Sequence, residues 1–163
     1  MPLAIPLVCI VCPPGTFCSV GAAEATPCAP GSYSDRPAQE RCARCEAGSF
    51  QDQPGNTTCK PCPLGYYCAE GAAAALPCDA GTYGDRMGLE SEAQCLTTPP
   101  GYFSQLASTQ PQPCPRGTSA SASGSPACEP CAPGTYANET GALACALCSP
   151  GHWCPADRQI KCA

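Results

Sequence analysis

Cys45-Glu-Ala-Gly-Ser-Phe-Gln-Asp-Gln-Pro-Gly-Asn-Thr-Thr-Cys59-Lys-Pro-Cys62-Pro-Leu-Gly-Tyr-Tyr-Cys68 sets two versions of one unit side by side. Each opens with C-x-x-G-x-aromatic. In the first, the next cysteine follows the opening Cys after thirteen residues; in the second, it directly follows the aromatic. The motif occurs nine times, as Cys12–Phe17, Cys28–Tyr33, Cys45–Phe50, Cys62–Tyr67, Cys78–Tyr83, Thr98–Phe103, Cys114–Ser119, Cys131–Tyr136 and Cys148–Trp153. Its glycines, from Gly15 to Gly151, lie 16 or 17 apart with one interval of 20. A fixed period means stacked small units rather than one globule. Pro-Gly, as in Pro30-Gly31 and Pro133-Gly134, is the central pair of a type II turn, with Pro setting the first φ and Gly taking the positive φ. The aromatic two residues further on returns to one side of an extended segment, where it is expected to lie over a disulfide.

Composition supports the same organisation. Leu, Ile, Val and Phe number 18 of 163 residues, as many as the cysteines alone. That apolar share lies below the roughly 20% at which a chain can bury a core, and the cysteine share exceeds the roughly 8–10% that marks a disulfide scaffold. The fold class expected is therefore small disulfide-rich repeats with no large hydrophobic core, held by covalent cross-links. The net charge is −5, and the eight Lys and Arg are scattered singly, which argues against nucleic acid as a partner. No stretch approaches the ~20 apolar residues of a membrane-spanning helix, so a membrane link would lie outside this chain. Residues 1–8 are apolar but lack a basic leader region and a small-residue cleavage site before Cys9. They read as a linker or the remnant of an upstream segment.

Two departures from the motif bear on the cysteine pairing. Aligned on Cys12 to Cys28, the sixth unit has Thr98 in place of Cys12 and Ser104 in place of Cys18, so both cysteines are lost together. A shift of 86 maps Cys9, Cys28, Cys42, Cys45, Cys59, Cys62 and Cys68 onto Cys95, Cys114, Cys128, Cys131, Cys145, Cys148 and Cys154. The chain then reads as repeats 9–61, repeats 62–97, a duplicate of 12–61 at 98–147, and the start of a further repeat at 148–163. Paired loss implies the bridges Cys12–Cys18, Cys62–Cys68 and Cys148–Cys154. The longer units imply Cys28–Cys42, Cys45–Cys59, Cys78–Cys95, Cys114–Cys128 and Cys131–Cys145. Cys9 and Cys162 are left unpaired at the ends, as in a piece of a longer protein. Spacing does not prove connectivity, and a Cys12–Cys28 or Cys42–Cys59 link is the pairing to test against.

The C-x-x-G-x-[YF] units joined by C-x-x-C, in phase over residues 9–162, resemble the ephrin-receptor-like cysteine-rich repeats. They are similar also to the cysteine-rich modules of tumour necrosis factor receptors and of furin-like growth-factor receptors. The resemblance implies an elongated, mostly irregular extracellular rod with short β-strands, serving adhesion, architecture or ligand contact within a larger cell-surface or secreted protein. The loss at Thr98 and Ser104 removes one staple and marks a candidate flexible point.

Other chemistries weigh less. Cys42-x2-Cys45-x13-Cys59-x2-Cys62 and Cys128-x2-Cys131-x13-Cys145-x2-Cys148 have near zinc-ribbon spacing. Two such sites would leave ten cysteines unexplained, so no metal and no cofactor are expected. Redox catalysis through C-x-x-C wants a thiolate at a helix N-terminus, and no such context is visible. His152, the single histidine, occupies the variable slot of the repeat. No Ser-His-Asp or paired-carboxylate arrangement stands out, so no enzyme is expected. Both asparagines of the chain, Asn56 and Asn138, begin sequons, Asn56-Thr-Thr58 and Asn138-Glu-Thr140, and are expected to carry glycans. Two functions remain. In one, the region is a structural or adhesive spacer whose partners are other repeats of its parent protein. In the other, it is a receptor-type module binding a protein ligand. The longer unit around 84–95 and the Ser/Ala-rich loop 119–127 are the places to look for a binding patch.

Overall fold

The computed structural model describes residues 11–149. Regular structure is reduced to sixteen two-residue strands and one 3-10 turn at Glu92–Gln94. The strands form eight separate antiparallel pairs. These are β1 (Thr16–Phe17) with β2 (Thr26–Pro27), β3 (Ser32–Tyr33) with β4 (Ala43–Arg44), β5 (Ser49–Phe50) with β6 (Lys60–Pro61), and β7 (Tyr66–Tyr67) with β8 (Leu76–Pro77). They continue with β9 (Thr82–Tyr83) and β10 (Leu96–Thr97), β11 (Tyr102–Phe103) and β12 (Gln112–Pro113), β13 (Thr118–Ser119) and β14 (Glu129–Pro130), and β15 (Thr135–Tyr136) and β16 (Ala146–Leu147).

The turn ahead of each first strand explains the pair. In the Gly31 repeat, Ser32 N–H donates to Ala29 O at 3.0 Å, and Gly31 has φ +83°. That is the i+2 position of a type II turn, and its left-handed φ selects glycine. The hydroxyl of Ser32 also donates to Ala29 O, at 2.7 Å. Thr16, Ser49, Thr82, Thr118 and Thr135 clip their own turns in the same way, at 2.7–2.8 Å. The slot read from the sequence as variable thus carries a second bond across the turn in most repeats. The strand pair that follows places the residue after the glycine opposite the residue before the next repeat's opening position, as in Thr16 opposite Pro27. Proline recurs there (Pro27, Pro61, Pro77, Pro113, Pro130) because a two-stranded ribbon has only edges, where a missing N–H costs no ladder bond.

The chain divides into two compact units. One comprises residues up to Pro61 together with Cys68–Ala75; the other comprises Cys62–Tyr67 and the residues from Leu76 onward. Within the first unit, neighbouring repeats are joined by backbone bonds in one register. Gly31 N–H donates to Gln51 O at 2.7 Å, Ser34 N–H to Asn56 O at 3.2 Å, and Gly55 N–H back to Cys28 O at 2.8 Å. Gly15, Cys18 and Ala38 make the equivalent three bonds one repeat earlier, and Gly48, Gln51 and Gly71 one repeat later. Within the second unit the register recurs, as in Gly101 N–H to Ala120 O, Ser104 N–H to Ser125 O and Gly124 N–H to Thr98 O, at 2.8–3.1 Å. Backbone groups that a conventional fold would bury in long sheets are here satisfied by the next repeat.

Repeats two apart also touch. A Cβ built on Gly31 would collide with the carbonyl of Gly71, and one on Gly101 with the carbonyl of Gly141. Gly31 is therefore fixed twice, by its φ and by the close approach of another backbone. The approaching carbonyl belongs to a second left-handed position. It falls six or seven residues after the motif glycine and is itself glycine except at Ala38 (φ 59°) and Ala107 (φ 61°).

Candidate functional site

The core is built from sulfur. The opening cysteines Cys12, Cys28, Cys45, Cys62, Cys78, Cys114 and Cys131 are all buried, at 2% exposure or less. Their partners Cys42, Cys59, Cys95, Cys128 and Cys145 are half-buried. Disulfides join Cys12 to Cys18, Cys28 to Cys42, Cys45 to Cys59, Cys78 to Cys95, Cys114 to Cys128 and Cys131 to Cys145. Cys62, Cys68 and Cys148 are each disulfide-bonded as well. The expected partner Cys154, the end cysteines Cys9 and Cys162, His152, and the segments 1–8 and 150–163 lie outside the described residues. The four-cysteine spacing that resembles a zinc ribbon is divided among different bridges: Cys42 pairs back to Cys28, while Cys45 pairs with Cys59. Sulfurs so oxidised are not thiolate ligands, and among the described residues no group of His, Cys, Asp and Glu is placed to hold a metal ion.

The aromatic residues differ from expectation. Phe17, Tyr33, Phe50, Tyr67, Tyr83, Phe103 and Tyr136 are half-buried rather than central. Tyr33 lines one cleft with Cys42 of its own repeat and another with Cys59 of the following repeat, so this ring flanks the bridges at their more exposed ends. The other buried position of the repeat is instead the residue three after the motif glycine: Ser34, Gln51, Cys68, Ser104, Ala120 or Ala137. In the short-loop repeats this position is the second cysteine itself, at Cys18 and Cys68. In the Gly48 repeat it is Gln51, whose Nε2 donates to Thr58 O at 2.6 Å and whose Oε1 accepts from Gln53 N–H at 3.1 Å. The buried amide thus ties the 51–58 loop to itself and leaves neither end unpaired. Charge enters at the surface of the same loop, where Lys60 Nζ donates to Asp52 Oδ1 at 2.6 Å and lies 5.9 Å from the centre of the Phe50 ring. The ammonium's hydrogen bond holds the Asp52 carboxyl below its ordinary range.

Thr98 and Ser104 are not a gap. Both are buried, at 0% and 1% exposure, and Thr98 Oγ1 donates to Ser104 Oγ at 2.7 Å. Two hydroxyls bonded to each other stand where Cys12 and Cys18 carry a disulfide. The expected loose point is therefore a packed, internally satisfied one.

The longer unit at 84–95 keeps most of its residues at the surface but sends one side chain inward. Leu89 is fully buried and bridges to Tyr67, with its Cδ1 3.0 Å from where a Cβ on Gly84 would sit. The extra residues deliver a side chain into the space that Gly84 leaves. Ser119, in place of an aromatic, sets its hydroxyl 3.4 Å from Cys145 Sγ of the following repeat. The neighbouring loop bounds an open cleft of small residues including Ala120, Ser121, Ser125 and Ala127.

Small repeats with a buried opening cysteine, replaced by Thr98 in the sixth, define a disulfide-stapled modular protein, and no helix among the described residues is long and apolar enough to cross a membrane. The family model described as tyrosine-protein kinase ephrin type A/B receptor-like matches residues 31–75 and 117–155, more than half of the chain. The chain belongs to this ephrin-receptor-like family, a non-catalytic, cysteine-rich family of receptor ectodomain type. No curated protein matches the chain individually.

Proposed function

We propose that this chain is an extracellular, non-catalytic spacer region of a larger cell-surface or secreted protein, in which stacked repeats set the distance and stiffness between other parts. The observation that carries this reading is the junction. Successive repeats are held by backbone bonds and glycine approaches that repeat with the period, so extension by like units is built into the chain. The many disulfides require an oxidising compartment, which points to the secretory pathway and the cell exterior. Deleting the duplicated stretch 98–113, one whole repeat, tests the proposal. A spacer shortens by one increment in small-angle scattering while the flanking repeats keep their disulfides. Loss of the fold on either side of the deletion would contradict it.

A receptor-type role is the second reading, favoured by one observation. Leu64, Leu76, Met87, Leu96 and Leu106 expose 42–60% of their surface within the second compact unit. Apolar side chains left in water on one compact unit are the raw material of a protein contact. Saturable binding of the oxidised chain to cells, lost when Leu76 and Leu96 are both changed to Gln, would establish this role over the spacer.

A further inference from the structure

Two repeats bow outward at the same place, each between two anchored amides. In the Cys28 repeat the anchors are Ser34, whose N–H donates to Asn56 O at 3.2 Å, and Ala38, whose N–H donates to Cys12 O at 2.9 Å. In the Cys78 repeat they are Gly84 and Gly88, whose N–H groups donate to Ser108 O and Cys62 O at 2.9 Å. Between the anchors stand Asp35-Arg36-Pro37 and Asp85-Arg86-Met87, all six residues exposed. Each bow holds an arginine out to solvent, but the two differ. The Ser34 hydroxyl donates to Arg36 O at 3.1 Å, and Gly84 has no hydroxyl with which to hold Arg86 O. Arg36 Nε lies 3.8 Å from Asp35 Oδ2, whereas Arg86 has no ion pair among the described residues. Arg36 is followed by a proline, whose ring replaces the N–H, and Arg86 by Met87, which is 56% exposed. The four other Lys and Arg among the described residues are closed on that same side. Lys60 precedes Pro61, Arg41 precedes the disulfide-bonded Cys42, and Arg44 and Arg116 precede the buried Cys45 and Gly117. The residues at the same place in other repeats, 52–54, 121–123 and 138–140, include no Lys or Arg. The last of these is the exposed sequon of Asn138, and Asn56 of the other sequon is half-buried just past 52–54.

We propose that the peptide bond from Arg86 to Met87 is a cleavage site for an extracellular, arginine-specific serine protease, and that the cut yields a two-chain form joined through the Cys78–Cys95 bridge. A protease acts on a folded chain where an exposed stretch can lift into its cleft. No backbone–backbone hydrogen bond among the described residues involves Asp85, Arg86 or Met87, so lifting them breaks none. A guanidinium without an ion pair is open to the carboxylate that such an enzyme sets for it. In the reaction the enzyme's serine Oγ attacks the Arg86 carbonyl carbon, the C–N bond breaks, and the Met87 nitrogen takes up the proton that the serine gave. Water then displaces the serine and leaves a carboxylate on Arg86, so the sum is one water added. The cut falls inside the loop that Cys78–Cys95 closes, and the halves stay joined. It also severs Leu89 from Gly84, leaving the buried side chain tethered from its C-terminal side alone, through Cys95. The inference rests on the extracellular reading above, which supplies both the bridge and the protease.

The test uses the full chain secreted from a eukaryotic host, kept native and non-reduced, and exposed briefly to trypsin. Products are separated with and without reductant, and the new termini are read by mass. The expected first cut within residues 11–149 falls after Arg86, at least tenfold faster than any other there. Its product stays one species until reduced, then parts into a piece ending at Arg86 and a piece beginning at Met87. Arg86→Gln removes this cut. A disulfide-bonded chain cut first elsewhere within 11–149, or left whole while its reduced and alkylated form is digested, overturns the inference and leaves the extracellular reading standing. A cut after Arg86 whose halves part without reductant overturns the two-chain product and the oxidised, extracellular reading together.

Discussion

Replacing Thr98 and Ser104 together by Cys is expected to close a bridge that the sixth repeat lacks. The two hydroxyls are buried and 2.7 Å apart, and the corresponding Cys12–Cys18 pair spans six residues with a Cα–Cα distance of 6.0 Å. On the chain-entropy account, closing a loop of about seven residues contributes roughly 2.4 kcal/mol. The lost hydroxyl pair offsets about 1 kcal/mol of that. The net expectation is a gain of about 1–1.5 kcal/mol, which is roughly a tenfold slowing of local opening. Global denaturation is a poor readout, because stacked repeats open piecewise. Native-state hydrogen exchange at Gly101 and Ser104, whose N–H groups bond Ala120 O and Ser125 O, reads the repeat directly. Thr98→Val alone should speed exchange at these amides by roughly tenfold or more, since it strands a buried hydroxyl at a cost of about 1–3 kcal/mol. Thr98→Val with Ser104→Ala should recover part of that loss. The reasoning is refuted if the new thiols stay unbridged in an oxidised, folded chain, or if they bridge and exchange at Gly101 and Ser104 does not slow.

The remaining expectations concern single positions. Gly31→Ala combines a left-handed φ with a backbone collision and should destabilise by more than about 2 kcal/mol, read as lost secretion or as fast exchange at Ser34. Gly55→Ala, whose Cβ meets only Pro27 at 3.7 Å and whose counterparts are Ala38 and Ala107, should cost only about 1 kcal/mol. If the two substitutions proved equal, close approach would not be the reason for Gly31. Ser119→Tyr restores the ring that the other repeats carry and should stabilise the repeat by about 1 kcal/mol through apolar burial, seen as slower exchange at Ala120. Asp52 titrates below its ordinary range because of Lys60. A carboxylate of this kind contributes stability above its unfolded pKa and loses it as pH falls through the folded one. Lys60→Met should return the Asp52 titration, followed by carboxyl NMR shifts, to the ordinary carboxylate range, and no change would exclude the pair as the cause.

Much of the repeat is legible in the sequence, because turn chemistry is local. Pro-Gly after a cysteine specifies a left-handed glycine with no knowledge of anything distant, and Ser32 reaches Ala29 within the same turn. What connects one repeat to the next is not legible. The bonds of Gly31 to Gln51 and of Ser34 to Asn56 run between backbone atoms, which every residue has, so no side chain announces them. The second left-handed turn was detectable in principle from Gly55, Gly71, Gly88, Gly124 and Gly141 in phase with the motif glycines. Ala38 and Ala107 blur that signal. Burial departs from the sequence expectation for a physical reason: a ring is the largest apolar group in the motif, but a unit of sixteen or so residues is too thin to enclose it. The disulfide sulfur and one small or amide side chain fill the centre instead. The burial of Leu89, inside the longer unit 84–95, is not legible either, because nothing in one sequence shows that Gly84 leaves room for it.

The central claim is that each of these repeats except the sixth is closed by its own bridge, and one tryptic peptide tests it. Cleavage after Arg41 and Arg44 releases Cys42-Ala-Arg44, a tripeptide with a single cysteine. In a non-reducing digest of the secreted chain, this tripeptide should be found linked through Cys28 to the peptide ending at Arg41. A link to Cys59, or a free Cys42 thiol, would contradict the account.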